Sequence, residues 1–463
     1  MNIQAHASLS VAENHNLPLS QKLALAAVGI GFVLQIAAAF GAKLPNAAWL
    51  LALSLCLIAL GTVAYAYQMY RRQPDGIKNN GLWHNSLTGR GVLAWLLGIV
   101  LTGFYILLYW YPEYLGLGKN GAANTGLIAF FDPLSFLLKA KPASEWFVYG
   151  VLYTLLILSL GVKFIWKYRH NRYQMFRTLS VMFFQTAFAF MLPEILANFN
   201  LPFNDFKSIW PLNYYFFFDW HINEMLHNGT FGLFVMFWGI FSFLVLAPVL
   251  TYFYGKRWYC SWVCGCGGLA ETAGDSFRHL SDKSLMAWKI ERWLIHGVLV
   301  FVTLMTGMVL YTRFTGQAQF LFLNSYELSK WYGMFVGAAF SGVVGVGFYP
   351  IMGSRVWCRF GCPMAAYLGI LQKYFSRFRI TTNGGQCISC GNCSSACEMG
   401  IDVKAYAQKG QDIVRASCVG CGICSAVCPR GVLRLENSAV DIFQRTSQNR
   451  AIHISETEVR ILD

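Results

Sequence analysis

The sequence is poor in charge. Only 13% of its 463 residues are Asp, Glu, Lys or Arg, against about 25% in an ordinary soluble domain. Hydrophobic residues make up 56% and gather in long uncharged runs, which excludes an ordinary cytosolic enzyme. Acidic residues are scarcer than basic ones, 22 against 36, yet no nucleic-acid-binding motif accompanies the surplus, and no nucleic-acid partner is expected. Cysteine is nearly missing from the first half, where Cys56 stands alone before residue 260. No Cys-x-x-Cys-His occurs, so covalent c-type haem is excluded. An aromatic content of 16% rules out disordered and collagen-like chains.

What is present is a membrane protein. A bilayer core takes about 20 mostly apolar residues per helix, and about eight runs qualify: 23–42, 48–67, 92–111, 146–166, 179–196, 230–254, 294–312 and 331–352. Backbone groups in lipid must be satisfied within each segment, so the runs are helices. Tyr109, Trp110, Tyr111, Trp146, Trp166, Tyr254 and Trp331 stand near their ends, as interfacial aromatic anchors do. With the N-terminus inside, inner loops carry 14 Lys and Arg. Outer loops carry seven: Lys43, Lys119, Lys139, Lys141, Lys207, Arg313 and Lys330. The excess lies on the inner side, as the positive-inside rule requires. The expectation is a multi-pass inner-membrane protein with both termini cytoplasmic. Residues 1–20 lack the basic start of a cleavable signal.

Thirteen of the 14 cysteines follow residue 259, in short-spaced clusters. That is the pattern of thiolate ligation on a reducing side of the membrane, not of a secreted disulfide framework. Cys387-x2-Cys390-x2-Cys393-x3-Cys397 is followed 31 residues later by Cys418-x2-Cys421-x2-Cys424-x3-Cys428-Pro429. This is the bacterial run for two [4Fe–4S] clusters, in which the fourth cysteine of each run serves the other cluster. Cys387, Cys390, Cys393 and Cys428 therefore form one expected ligand set. Cys418, Cys421, Cys424 and Cys397 form the other. Zinc ribbons use two separated cysteine pairs, not two runs of four. The segment resembles a two-cluster bacterial ferredoxin and departs from it at Glu398, where proline usually follows the fourth cysteine.

Two further pairs follow helix ends: Cys260 and Cys264 after Gly255, Cys358 and Cys362 after Gly353. At an offset of 98 residues Gly255/Gly353, Arg257/Arg355 and both cysteines coincide. Four thiolates suffice for a third [4Fe–4S] cluster or for a tetrahedral zinc ion, with Cys266 as a substitute ligand. Together with the ferredoxin run these motifs resemble the membrane polyferredoxin family. That family includes the quinol dehydrogenase membrane component of periplasmic nitrate reductase, the membrane electron donor of nitrous-oxide reductase and a cytochrome oxidase assembly ferredoxin. The resemblance covers about residues 230–437, with Gly265 in place of an expected proline.

The expected fold is an all-α polytopic membrane domain plus a small α+β ferredoxin-like domain. Its parts are a tail at 1–22, a transmembrane domain at 23–352, a cysteine motif with an interfacial helix at 353–380, the ferredoxin domain at 381–437 and a tail at 438–463. Before the sixth span, His221, Glu224 and His227 recur at i, i+3, i+6 and suit a metal, haem b or a quinone head group. His296 is a further haem or quinone candidate, and Glu194 is a carboxylate near a helix end. The resemblance implies membrane electron transfer by an iron–sulfur subunit working with a quinone or a membrane redox subunit, without fixing donor or acceptor; whether it acts as a quinol dehydrogenase or as a metal reductase stays open. A soluble ferredoxin or flavodoxin is the expected cytoplasmic partner. The alternative is an assembly factor that reduces a metal for a respiratory metalloenzyme.

Overall fold

The computed structural model describes residues 18–42, 45–71, 85–119, 122–317, 319–320, 323–382 and 386–437, with the backbone of two short strands at 452–454 and 459–461. The tails expected at 1–22 and 438–463 lie mostly outside the described residues. So do Lys43 and the loop at 72–84.

Seven helices among the described residues are long and apolar enough to cross a membrane. They are α1 (Leu19–Ala39), α2 (Ala47–Tyr70), α3 (Val92–Trp110), α5 (Glu145–Lys167), α6 (Arg172–Asn198), α8 (Gly229–Tyr254) and α10 (Leu285–Thr315). Shorter helices lie between them: α4 (Gly126–Lys139), α7 (Asp219–His227) and α9 (Gly265–Thr272). The eighth run is a broken helix. α11 (Ser325–Tyr332) continues into a π-helical stretch, Gly333–Val344, then turns before one last helical turn, Tyr349–Met352. Glycine makes that break compact, since a Cβ on Gly347 would stand 2.4 Å from the Thr102 methyl of α3.

Between α6 and α7 the chain does not stay at the surface. It turns back among the spans. Trp238 Nε1 donates to the Phe206 carbonyl at 2.9 Å, about 14 Å along α8 from its start at 1.5 Å per residue. Trp210 Nε1 donates to Thr306 Oγ1 of α10 at 3.1 Å. The Tyr259 hydroxyl donates to the Lys207 carbonyl at 2.8 Å, and Ile209 is buried in the same core as Cys260. Lys207, counted above as an outer-loop cation, is thus an interior residue paired with Asp205 at 3.1 Å. Buried Ile209 and Trp210 explain the re-entry, because lipid-depth backbone is tolerated where protein covers it.

After the membrane helices, α12 (Pro363–Phe375) leads to β1 (Phe378–Thr382), which pairs antiparallel with β2 (Leu433–Asn437), Ile380 opposite Leu435. The pair closes the cysteine-rich module like a clasp. The expectation that α12 lies on the lipid surface is not met. Met364, Ala365, Ala366, Leu368 and Gln372 are buried, and the helix packs between α10, the last turns of α8 and the module. Only its last turn, with Tyr374 and Phe375, is exposed.

Candidate iron–sulfur sites

Three sets of thiols gather at the cysteine end of the helices. In the ferredoxin-like module, Gly391 and Gly422 take the left-handed conformation, with φ 79° and 74°. Each opens a one-turn helix, Asn392–Ser395 and Ile423–Ala426. These turns aim Cys393 and Cys424 back at the loops that precede them. Cys387, Cys390, Cys393 and Cys428 line one pocket, with Ile388 and Lys404 at its wall. Burial pushes the Cys393 thiol up to about 11, and Cys428, Cys390 and Cys387 add to the rise. The Cys424 thiol is driven well up by burial and then by Cys421, Cys418 and Cys397. Cys428 thus shares a pocket with Cys387, Cys390 and Cys393, and Cys397 lies near Cys418, Cys421 and Cys424.

The loop carrying the second set is tethered at almost every carbonyl by the membrane domain. Lys256 Nζ donates to Ala416 O at 2.5 Å, and Gln372 Nε2 donates to Arg415 O and Cys418 O at 2.9 and 2.8 Å. Ser261 Oγ, the Tyr173 hydroxyl and Gln174 Nε2 donate to Val419, Gly420 and Cys421 carbonyls at 2.9, 3.0 and 2.8 Å. Each neutral bond adds about 1 kcal/mol net, so the module is held rigidly.

The third set is formed by the internal repeat. Gly255 and Gly353 end their helices with φ 66° and 95°, a region that side chains with a Cβ rarely enter. Cys264 N donates to Tyr259 O at 2.8 Å, and Cys362 N to Trp357 O at 2.9 Å, so the two turns fold alike. Cys260, Cys264, Cys358 and Cys362 are buried in one cluster. Burial raises the Cys362 thiol, and Cys358, Cys260 and Cys264 raise it further. The Cys264 thiol is lowered, first by its bond from Cys266 and then by Lys207. Lys207 Nζ reaches to 3.5 Å from where a Gly265 Cβ would be. Proline at that position would crowd Lys207 and Gln185, whose Oε1 lies 2.6 Å away, which accounts for Gly265. Among the described residues no group of three His, Cys, Asp or Glu is drawn close enough for a single metal ion.

Between the second and third sets lies a buried charge network that sequence reasoning missed. Arg355 Nη2 meets Glu271 Oε1 at 2.6 Å and Glu398 Oε1 at 2.9 Å. Arg278 Nη1 meets Glu398 Oε2 at 2.7 Å, and its Nε meets Asp275 Oδ1 at 2.8 Å. Lys167 pairs with Asp275 at 2.7 Å, and Arg177 pairs with Glu271. Four cations thus face three carboxylates. Arg355 Nε is buried without a hydrogen-bond partner, and Arg355 Nη1 lies 3.7 Å from Cys358 Sγ. A four-thiolate cube is anionic in both redox states, so surplus buried cation beside the thiols suits it. The one signal in the sequence was Glu398 itself, in the place of a proline.

The outer candidates do not converge. His221 is buried, its Nδ1 3.0 Å from the Phe216 carbonyl, whereas Glu224 and His227 are exposed. Spacing of i, i+3, i+6 turns the third residue away from the first on α7. Glu194 pairs with Lys139 at 3.1 Å, and His296 Nδ1 lies 2.6 Å from the Arg292 carbonyl.

Comparison with known proteins agrees with this geometry. A 4Fe-4S dicluster domain matches residues 386–433. A 4Fe-4S binding domain matches twice, at 235–284 and 333–382, the same 98-residue offset as Gly255 and Gly353. A relative named electron transport protein YccM, from Escherichia coli K12, is 27% identical over 36% of this chain and 47% of its own length. The methylamine utilization ferredoxin-type protein MauN of Methylobacillus flagellatus is 26% identical over 49% of this chain and 76% of its own. MauN of Paracoccus denitrificans is 28% identical over 37% and 60%. The chain thus spans about half the length of the first of these relatives. No solved structure matches it.

Proposed function

We propose that the chain, which resembles the membrane polyferredoxins, relays electrons along its three thiol sets, from a quinone pool or a membrane redox subunit to a soluble cytoplasmic acceptor. Bound [4Fe–4S] clusters supply one-electron carriers at each set. Cys260, Cys264, Cys358 and Cys362 hold the membrane-proximal one, Cys397, Cys418, Cys421 and Cys424 the middle one, and Cys387, Cys390, Cys393 and Cys428 the distal one. The observation that carries this reading is the order of the sets. The membrane-proximal thiols touch Arg355, Arg355 touches Glu398, and Glu398 adjoins Cys397. The Cys393 and Cys424 thiols in turn lie within electrostatic reach of each other.

Exposure supports the direction. Cys390 is the exposed cysteine of the distal set, beside Ile388 at 56% exposure and the basic Lys404 and Arg430. That rim suits an acidic carrier such as a flavodoxin or ferredoxin. The basic inner loops support an inner-membrane location with the module on the cytoplasmic side. In anaerobically purified protein, at least eight irons per chain with matching acid-labile sulfide are expected, and quinol should bleach their visible absorption. Zinc in place of iron, with no labile sulfide, would overturn the reading.

A further inference from the structure

Glu398 stands where the ferredoxin pattern has proline, and nothing in ligand geometry asks for a carboxylate there. Its side chain is wholly buried, a place where an unpaired charge is very costly. The structure explains its presence by what it reaches. Oε2 accepts from Arg278 at 2.7 Å and Oε1 faces Arg355 at 2.9 Å, while its backbone carbonyl accepts from Ser281 Oγ at 2.8 Å. Both arginines and the serine belong to the membrane domain. Arg355 also donates to the Cys260 carbonyl at 3.2 Å and lies against Cys358 Sγ at 3.7 Å. One residue therefore joins the chain beside Cys397 to both halves of the membrane-proximal repeat.

We propose that Glu398 is the positioning residue for electron transfer between the membrane-proximal and middle thiol sets: gripped by Arg278 and Arg355, it seats Cys397 against the Cys358 turn and balances the positive charge between the two sets. The inference rests on the electron-transfer reading above. The transfer it serves moves one electron and no proton, with no bond made or broken, and the quinol or membrane subunit is the reductant. Three carboxylates tune the same field: Glu398, Glu271 and Asp275, facing Arg177, Arg278, Arg355 and Lys167. A freely diffusing ferredoxin has no membrane arginines to meet, so proline serves there and glutamate here.

The test uses the full-length protein in nanodiscs, with Glu398→Gln, Glu398→Asp and Glu398→Pro. Iron and labile sulfide are measured first, because a wild-type chain without clusters would sink the electron-transfer reading and not this inference. With clusters retained, Glu398→Gln removes a negative charge and should raise the midpoint potentials of the middle and membrane-proximal centres. It should also slow equilibration between them at least tenfold in freeze-quench EPR, while hydrogen exchange quickens at 415–421. Glu398→Asp should restore the potentials, because it keeps the charge, and Glu398→Pro should not. If Glu398→Gln fails to insert, Arg278→Gln loosens the same carboxylate and should shift the potentials downward. Unmoved potentials and an unchanged equilibration rate in a fully loaded variant would overturn the proposal.

Discussion

Gln372 of α12 donates its side-chain amide to the carbonyl of Cys418 at 2.8 Å, so a membrane-domain residue fixes the backbone of a cluster-binding loop. The same amide bonds Arg415 O, and its Oε1 accepts the Lys256 N–H at 2.8 Å. Gln372→Leu strands these buried groups, each worth about 1–3 kcal/mol when left unmade. The detergent-solubilised protein should unfold several degrees lower, with faster exchange at 415–421 and the distal cluster retained. An unchanged melting curve would show that the tether contributes nothing.

The repeat makes a stoichiometric prediction. Cys260→Ser with Cys358→Ser takes one ligand from each half of the membrane-proximal set. Iron should fall by about four atoms per chain, the content of one cube, while the ferredoxin-type EPR signals persist. Iron left at its full value would remove the membrane-proximal set from the chain of carriers.

The distal rim makes a kinetic one. Lys404→Glu with Arg430→Glu reverses charge beside Cys390 without touching a thiol. The second-order rate with an acidic soluble acceptor should fall at least tenfold at low salt and converge with wild type as ionic strength rises. Quinol-driven cluster reduction should not change. Equal rates at all salt concentrations would place acceptor docking elsewhere.

At the far end of the helices, His221 predicts a pH dependence. Burial lowers its affinity for a proton, outweighing the Phe216 carbonyl and Glu224 that raise it. A histidine depressed in the folded state contributes stability above its unfolded value of about 6.5, and that stability is lost as pH falls through the lower folded value. Wild type should therefore melt lower at pH 5 than at pH 7.5, and His221→Phe should narrow the gap. A gap of the same width in both proteins would exclude His221 as its source.

The ferredoxin ligands were legible because their spacing is local: a tight turn and the helix after it place three thiols by themselves, and the fourth comes from the matching run. The membrane-proximal set was legible for a similar reason, since Gly255 and Gly353 mark two copies of one turn. The Arg278–Glu398 pair spans 120 residues, and no periodicity betrays a contact made only by docking. The re-entrant course of 199–218 was equally hidden. Lys207 reads as a loop cation until Ile209 and Trp210 are seen buried among the spans. The eighth run kept its composition but not its regularity, because Gly347 packs against Thr102.

The two copies of the membrane motif offer the module a pair of similar perches, each a glycine-ended helix followed by a cysteine turn. What lands on each is different. Arg257 takes the Phe378 ring at 4.3 Å and Asn437 Oδ1 at 3.1 Å, whereas its counterpart Arg355 takes a carboxylate. A module rotated onto the wrong perch would press an aromatic ring against Glu271 and leave Glu398 unmatched in a dry interior. Duplicated architecture thus acquires a compass: only one orientation is permitted, and the end of the module that faces the membrane helices can never be exchanged for the end that faces away from them.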